Sequence, residues 1–193
     1  MDRATLKSLA KEQIKGNIGI LFLIGVVLYL ISIVLSFIPV VGSIAMMLIS
    51  PALSLAMCGI YLNLTKGVKP QVADLFSQIN NFWPAFKTYF LMILYTVLWS
   101  LLLYIPGIIK GIAYSQTMFI LEEDPTLGAN EAITRSREMM DGHKMEYFLL
   151  GLSFIGWSIL GVFTCGLLYI WLIPYMETTL ANYYRYLKGE IVA

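Results

Sequence analysis

Long apolar segments that contain almost no charge dominate the hydrophobic pattern of this chain. A helix needs about 20 apolar residues to cross the hydrocarbon core of a bilayer. Residues 18–38 reach this length without one charged side chain, and short turns containing Pro or Gly separate the later segments. The pattern predicts transmembrane helices at about 18–38, 42–64, 85–105, 107–121, 145–163 and 167–187.

The segment 107–121 is the shortest of these predicted spans. At 1.5 Å per residue, a helix of this length rises about 22 Å, whereas the hydrocarbon core is about 30 Å thick. We predict that the segment crosses the membrane fully. The alternatives are an extension toward Asp124, local thinning of the bilayer, and a re-entrant path.

Amphipathic stretches lie between some of the apolar segments. Within 70–83, apolar residues recur at intervals of three and four positions, which places them on one side of a helix. Within 125–141, Asp124 can cap the start of a helix and Gly142 can end it. The N-terminal stretch 2–15 interleaves leucines with lysines. We predict that all three are helices lying on the membrane surface.

The basic residues fall on one side of the predicted membrane. Of the 13 Lys and Arg residues, all but Lys110 lie near the two termini or near the connections after the second and fourth spans. The positive-inside rule makes that side cytoplasmic. The predicted fold is therefore an all-α, polytopic membrane bundle, with six transmembrane helices in three hairpins, interfacial amphipathic helices and both termini in the cytoplasm.

The composition agrees with a membrane protein. Hydrophobic residues make up 59% of the chain and charged residues 13%, whereas soluble domains average about 45–50% and about 25%. The net charge of +1 gives no field that would recruit nucleic acid. We therefore expect membrane lipids, a membrane protein partner or a second copy of the chain as partners, and no nucleic acid.

Two charged residues, Lys110 and Glu177, lie inside the long apolar segments. A charge at the centre of a membrane helix costs about 2.5–3.5 kcal/mol on insertion scales, so such residues face a partner or a wet cavity. One interpretation is an ionisable site formed by the two residues, in which they pair or carry a proton or substrate. The other is that Lys110 extends to the outer interface and Glu177 stays neutral and hydrogen-bonded.

The sequence contains no set of residues typical of catalysis or of metal binding. The only histidine, His143, has no partnered nucleophile. The acidic run 122–124 is expected to be a solvated helix end that includes the cap Asp124. We predict no catalytic residues, no metal and no cofactor.

The run 131–144, E-A-I-T-R-S-R-E-M-M-D-G-H-K, and the I-P-G-I-I break at 105–109 carry a family resemblance. They are similar to the bacterial integral membrane family called domain of unknown function 975. A looser likeness links them to the membrane domain found ahead of some glycerophosphodiester phosphodiesterases, whose activity is not expected here because the sequence shows no such catalytic domain. The resemblance implies a six-span protein of the bacterial inner membrane, without a known substrate.

Five polar residues of this motif form a second candidate site, on the cytoplasmic side. They could dock the surface helix on the ends of the spans, or they could hold a phosphate headgroup or a partner protein. The residues are Arg135, Ser136, Arg137, His143 and Lys144.

The leading functional hypothesis is a non-enzymatic membrane protein that binds lipids or a partner. The alternative is a small transporter or permease-like subunit that uses Glu177 and Lys110. A polar cavity that joins these two residues would favour transport, and a tightly packed interior would favour the first hypothesis.

Overall fold

The computed structural model describes residues 3–164 and 166–191, and all regular structure within these residues is helical. Asp2, at the start of the first predicted surface helix, and Cys165 lie outside the described residues. Two 3₁₀ turns, Val72–Phe76 and Ile79–Asn81, accompany the α-helices. The helices are α1 Arg3–Ile14, α2 Ile18–Ser36, α3 Pro39–Thr65, α4 Phe82–Leu102, α5 Tyr104–Ala113, α6 Thr117–Glu123, α7 Ala129–Met139, α8 Lys144–Leu152, α9 Ile155–Phe163 and α10 Tyr169–Leu187.

Among the residues that the structure describes, four segments are long and apolar enough to cross a membrane. The prediction of an all-helical chain is confirmed, and these segments agree with a membrane protein. They overlap the first, second, third and fifth predicted spans, and the third of them also includes the 3₁₀ turns that precede α4. The four segments are Ile18–Ser36, Val40–Thr65, Val72–Leu101 and Lys144–Phe163.

The fourth and sixth predicted spans differ from these four in length or polarity. A turn at residues 114–116 divides the segment 107–121 between α5 and α6, which rise only about 15 Å and about 10 Å. The helix α10 is 19 residues long, but polar residues such as Thr179 and Asn182 are fully buried on it. Because α10 lies largely inside the protein, its side chains pack against other helices and do not need to be uniformly apolar.

The predicted surface helices are shorter than the sequence pattern suggests. In 70–83 the chain forms 3₁₀ turns, the first of which begins where the Asp74 carboxylate accepts the backbone N–H of Gln71 at 2.8 Å. In 125–141 the helix begins only at Ala129. The reason is that the Asp124 carboxylate accepts the N–H of Thr126 at 3.2 Å, which closes a turn before the helix.

The N-terminal helix α1 packs against α10. Leu6, Ala10 and Ile14, spaced four residues apart, are almost completely buried. The Lys7 ammonium donates to the carbonyl of Ser153 at 3.1 Å, at the break between α8 and α9. Its ammonium also lies 4.0 Å from the ring centre of Phe154. Thus α1 supports the broken helix as well as covering α10.

The buried core and the exposed apolar surface occupy different parts of the helices. The core joins α1, α6, and the parts of α3 and α10 that follow Pro51 and Pro174. By contrast, Phe37, Leu101 and Phe163, near three short turns, are 80%, 78% and 83% exposed. Apolar surface of this extent is unfavourable in water and is expected where lipid is the solvent.

Candidate functional site

A cavity of about 320 Å³ lies between α5, α7 and the start of α8. It combines one residue from the in-membrane candidate pair with two from the cytoplasmic motif. Its walls carry three basic and two acidic side chains. The lining residues are Ile109, Lys110, Ala113, Thr134, Arg137, Glu138, Asp141 and Lys144.

Hydrogen bonds to the end of α5 hold α7 in place. The Ser136 hydroxyl donates to the carbonyl of Ala113 at 2.8 Å and accepts the N–H of Gln116 at 3.2 Å. Because the helix ends at Ala113, these backbone groups need partners outside it, and Ser136, which is fully buried, supplies them. At the other end of α7, the Tyr95 hydroxyl donates to the side chain of Asn130 at 2.9 Å. This docking brings Arg137 to the cavity.

Lys110 is held at the wall of the cavity by an aromatic ring. Its ammonium lies 4.6 Å from the ring centre of Trp99, a favourable cation–π geometry. The positive charges of Arg137 and Lys144 both act on it. Within the described residues, no carboxylate lies within 4 Å of the charged groups of Lys110 or Arg137. The repulsion among these cations is therefore not relieved by a direct ion pair on either residue.

The acidic residues of the cavity lie at its exposed side. The Asp141 carboxylate is 3.4 Å from the Lys144 ammonium, but its side chain is 83% exposed, against 38% for Lys144. Glu138 is also exposed. Arg137 is exposed as well, whereas Lys110 and Lys144 are half-buried. Water screens exposed carboxylates strongly, so they compensate the two half-buried ammonium groups only in part.

The other three residues of the predicted motif site have partners elsewhere. Arg135 forms an exposed ion pair with Glu131 of its own helix at 2.8 Å. The imidazole of His143 lies 3.1 Å from the carboxylate of Glu146, which also accepts the hydroxyl of Tyr183 at 3.4 Å. Ser136 serves the docking described above. The structure thus places only Arg137 and Lys144 of the five in the cavity.

Glu177 does not lie with Lys110 in this cavity. Its side chain is half-buried, and the groups on which its charge acts are Cys58 and Tyr61 of α3 and Tyr147 of α8. The neighbouring hydroxyl of Thr178 is buried without a hydrogen-bond partner in the described structure. Glu177 therefore belongs to a separate polar environment between α3, α8 and α10.

The acidic run 122–124 is not simply a solvated helix end. One oxygen of the Glu122 carboxylate accepts the amide of Gln78 at 2.9 Å, and the other is buried without a partner among the described residues. Burial raises the pKa of Glu122 to about 7. Glu123 instead pairs with Lys188 at 2.7 Å and with Lys66 at 3.5 Å. No local sequence signal marks Glu122, because its partners come from distant segments.

Comparison with known proteins gives one relationship. No curated protein and no solved structure matches the chain. A model of the family described as "Protein of unknown function (DUF975)" matches residues 1–109 and 101–190. Together these matches cover nearly the whole sequence, including the cavity residues and Glu177. The chain therefore belongs to the DUF975 family.

Proposed function

We propose that the protein is a non-enzymatic, multi-pass protein of the bacterial inner membrane that binds lipids, or a membrane protein partner such as a second copy, at its cytoplasmic side. In this proposal the protein crosses the membrane several times and both termini are cytoplasmic. The cavity that joins Lys110 to Arg137 and Lys144 counts against the six-span arrangement, in which Lys110 lies near the outer face. The activity of the family is unknown, so membership in it does not identify a substrate.

One observation supports this proposal above the others: the most exposed apolar side chains lie at short turns that contain no Lys or Arg, away from the ion pairs at the ends of α3, α6 and α10. The pairs of Glu123 with Lys66 and Lys188 tie together the ends of α3, α6 and α10. Exposed apolar residues lie at other helix ends: Phe37 directly follows α2, and Phe163 is the last residue of α9. A protein with one charged end and apolar helix ends elsewhere suits one-sided insertion in a bilayer.

Reporter fusions and lipid analysis test the proposal. Fluorescent-protein fusions at both termini should be active in the cytoplasm, and alkaline phosphatase inserted near Pro39 should be active outside. Mass spectrometry of the purified protein should find retained phospholipid. A periplasmic N-terminus would refute the topology, and a lipid-free protein without bound partner protein would refute the binding function.

Transport is the second candidate function, and Glu177 supports it. A half-buried carboxylate beside Cys58, Tyr61 and Tyr147 offers a place where a proton or cation could bind within the bundle. The buried, unpartnered hydroxyl of Thr178 adds a polar group to the same stretch of α10.

Ion flux in reconstituted vesicles tests the transport candidate. Vesicles that contain the protein should dissipate an imposed proton or sodium gradient faster than empty vesicles, and Glu177→Gln should abolish the difference. Glu146→Gln, which removes a carboxylate at the start of α8, is the matched control and should retain flux. Equal rates for empty and protein-containing vesicles, or full flux in E177Q, would exclude an ion-coupled site at Glu177.

A further inference from the structure

The cavity between α5, α7 and α8 brings together three basic side chains, and for two of them, Lys110 and Arg137, no carboxylate of the described residues lies within ion-pair distance. From its geometry we infer that it binds the phosphate group of an anionic phospholipid, with Lys110 and Arg137 as the principal ligands. The inference deepens the proposed lipid-binding function and rests on it. The proposed site combines Lys110, from a predicted transmembrane span, with Arg137, from a predicted surface helix.

The charge distribution favours an anion as the ligand. Lys110, Arg137 and Lys144 come from three different helices and converge on one cavity of about 320 Å³. Only Lys144 has a carboxylate within ion-pair distance, and that carboxylate, on Asp141, is mostly in water. A bound phosphate would relieve the repulsion that Arg137 and Lys144 exert on Lys110.

The side chains provide two complementary kinds of phosphate contact. A guanidinium such as that of Arg137 can donate two parallel hydrogen bonds to phosphate oxygens, and an ammonium such as that of Lys110 acts as a point charge. The ring of Trp99 restricts the ammonium of Lys110, which reduces the entropy lost on binding.

The size and surroundings of the cavity favour a lipid over a free phosphate. Ligand pockets start at about 300 Å³, so this cavity holds a headgroup but not the acyl chains. Ile109 lines the cavity and is 45% exposed, and Phe148, one helical turn after Lys144, is 42% exposed. These side chains offer an apolar surface beside the cavity along which acyl chains could lie.

Lipid competition in nanodiscs tests the inference. The protein is purified in nanodiscs that contain phosphatidylglycerol and phosphatidylcholine, and the phospholipid retained after release into detergent is measured by native mass spectrometry. We expect the wild-type chain to retain phosphatidylglycerol preferentially, and Arg137→Gln and Lys110→Gln each to lower this preference at least tenfold. Arg135→Gln is the matched control on the same helix, because its guanidinium pairs with Glu131 and lies outside the cavity lining. Circular dichroism verifies that each variant is folded.

The possible outcomes separate the inference from the proposed function. Retention of phosphatidylglycerol that is unchanged in both R137Q and K110Q would overturn the cavity assignment and leave the lipid-binding function standing. An equal loss in R135Q would also overturn the assignment, since general surface charge would then explain the retention. Thermal stabilisation by glycerol phosphate or inorganic phosphate, lost in R137Q, without preference for phosphatidylglycerol would assign the cavity to a soluble phosphate and overturn the lipid assignment. No lipid retention by the wild-type chain would count against both.

Discussion

Glu122 and Glu123 are adjacent in the sequence but ionise in opposite environments. Burial raises the pKa of Glu122 from 4.5 to about 7, and the amide of Gln78 and the distant Lys66 offset this only in part. Burial also opposes ionisation of Glu123, but hydrogen bonds from Lys188 and Tyr184 outweigh it and lower the pKa. The first carboxyl group is therefore a proton-binding group near neutral pH, and the second is an ionised structural group.

The raised pKa of Glu122 predicts a pH-dependent stability. The folded state binds this proton more tightly than the unfolded state, so the contribution of Glu122 to stability is greatest below about pH 4.5 and falls as the pH rises to about 7. Glu122→Gln resembles the protonated form. At pH 8 it should raise the free energy of unfolding by about 1–2 kcal/mol, after allowance for solvent screening, with little effect at pH 4.5. Unfolding in detergent at several pH values measures this.

Glu123→Gln is the control for that experiment, and we expect the opposite sign. The lowered pKa of Glu123 means that its stabilising pairs are present at pH 8 and are lost as the pH falls through its folded-state pKa. The variant should therefore be less stable than the wild type at pH 8. If Glu122→Gln also destabilised the protein at pH 8, its carboxyl group would be ionised and favourably solvated.

Gly59 determines how closely Glu122 can approach α3. A Cβ atom at this position would overlap the carboxylate oxygen that accepts from Gln78. Because this oxygen is at the end of a flexible side chain, Gly59→Ala should displace the carboxylate into water, at a cost of about 1 kcal/mol at low pH, and remove its pH dependence. The readout is the same detergent unfolding series. Gly151→Ala is the control, because a Cβ atom there meets open space, and it should leave the pH dependence of the free energy of unfolding unchanged.

The sequence identifies a candidate functional residue only where neighbouring residues in the chain already set it apart. Lys110 and Glu177 are evident as charges in apolar segments, because their neighbours in the chain are apolar. The partners that decide their roles, such as Trp99 for Lys110, depend on helix packing. Glu122 was not predicted as a titrating group, since Gln78 and Gly59 are distant in the sequence.

At the level of the helix, α7 depends on one buried hydroxyl for its position. Ser136→Ala would leave the carbonyl of Ala113 and the N–H of Gln116 without this partner in a buried place, which costs about 1–3 kcal/mol. We expect faster hydrogen exchange throughout α7 and the turn 114–116. Thr134→Ala is the control, because the Thr134 hydroxyl donates to the carbonyl of Asn130, one turn earlier in the same helix. Unchanged exchange in S136A would show that other contacts hold α7.

Helices were predictable in proportion to the length of their apolar pattern. The segments 18–38 and 42–64 are long and uniform, and the structure has α2 and α3 there. The stretch 70–83 has the spacing of a helix but forms 3₁₀ turns, in which local side-chain bonds such as that of Asp74 compete with helical ones. Likewise, the apolar pattern of 107–121 does not reveal the turn at residues 114–116. This turn depends on a contact with α7, which follows later in the chain.

At the level of the whole molecule, the position of the cavity constrains how the protein lies in a membrane. Lys110 packs on Trp99, three residues before the end of α4, while Arg137 and Lys144 approach it from α7 and α8. Charged groups at this place require contact with the headgroup region or with water. The second part of α4 therefore reaches a membrane interface near Trp99.

The four tryptophans make this arrangement measurable by the depth at which lipids quench them. Trp99 is expected near the headgroups, and Trp157 deeper, because it lies on the apolar helix α9 between the Ser153 break and the turn after Phe163. In single-tryptophan variants, lipids brominated near the glycerol should quench Trp99 most, and lipids brominated near the chain ends should quench Trp157 most. Iodide in water should reach only Trp83, which is 64% exposed at the start of α4. Strongest quenching of Trp99 by the deep bromines would place Lys110 inside the hydrocarbon, where a headgroup phosphate could not reach it.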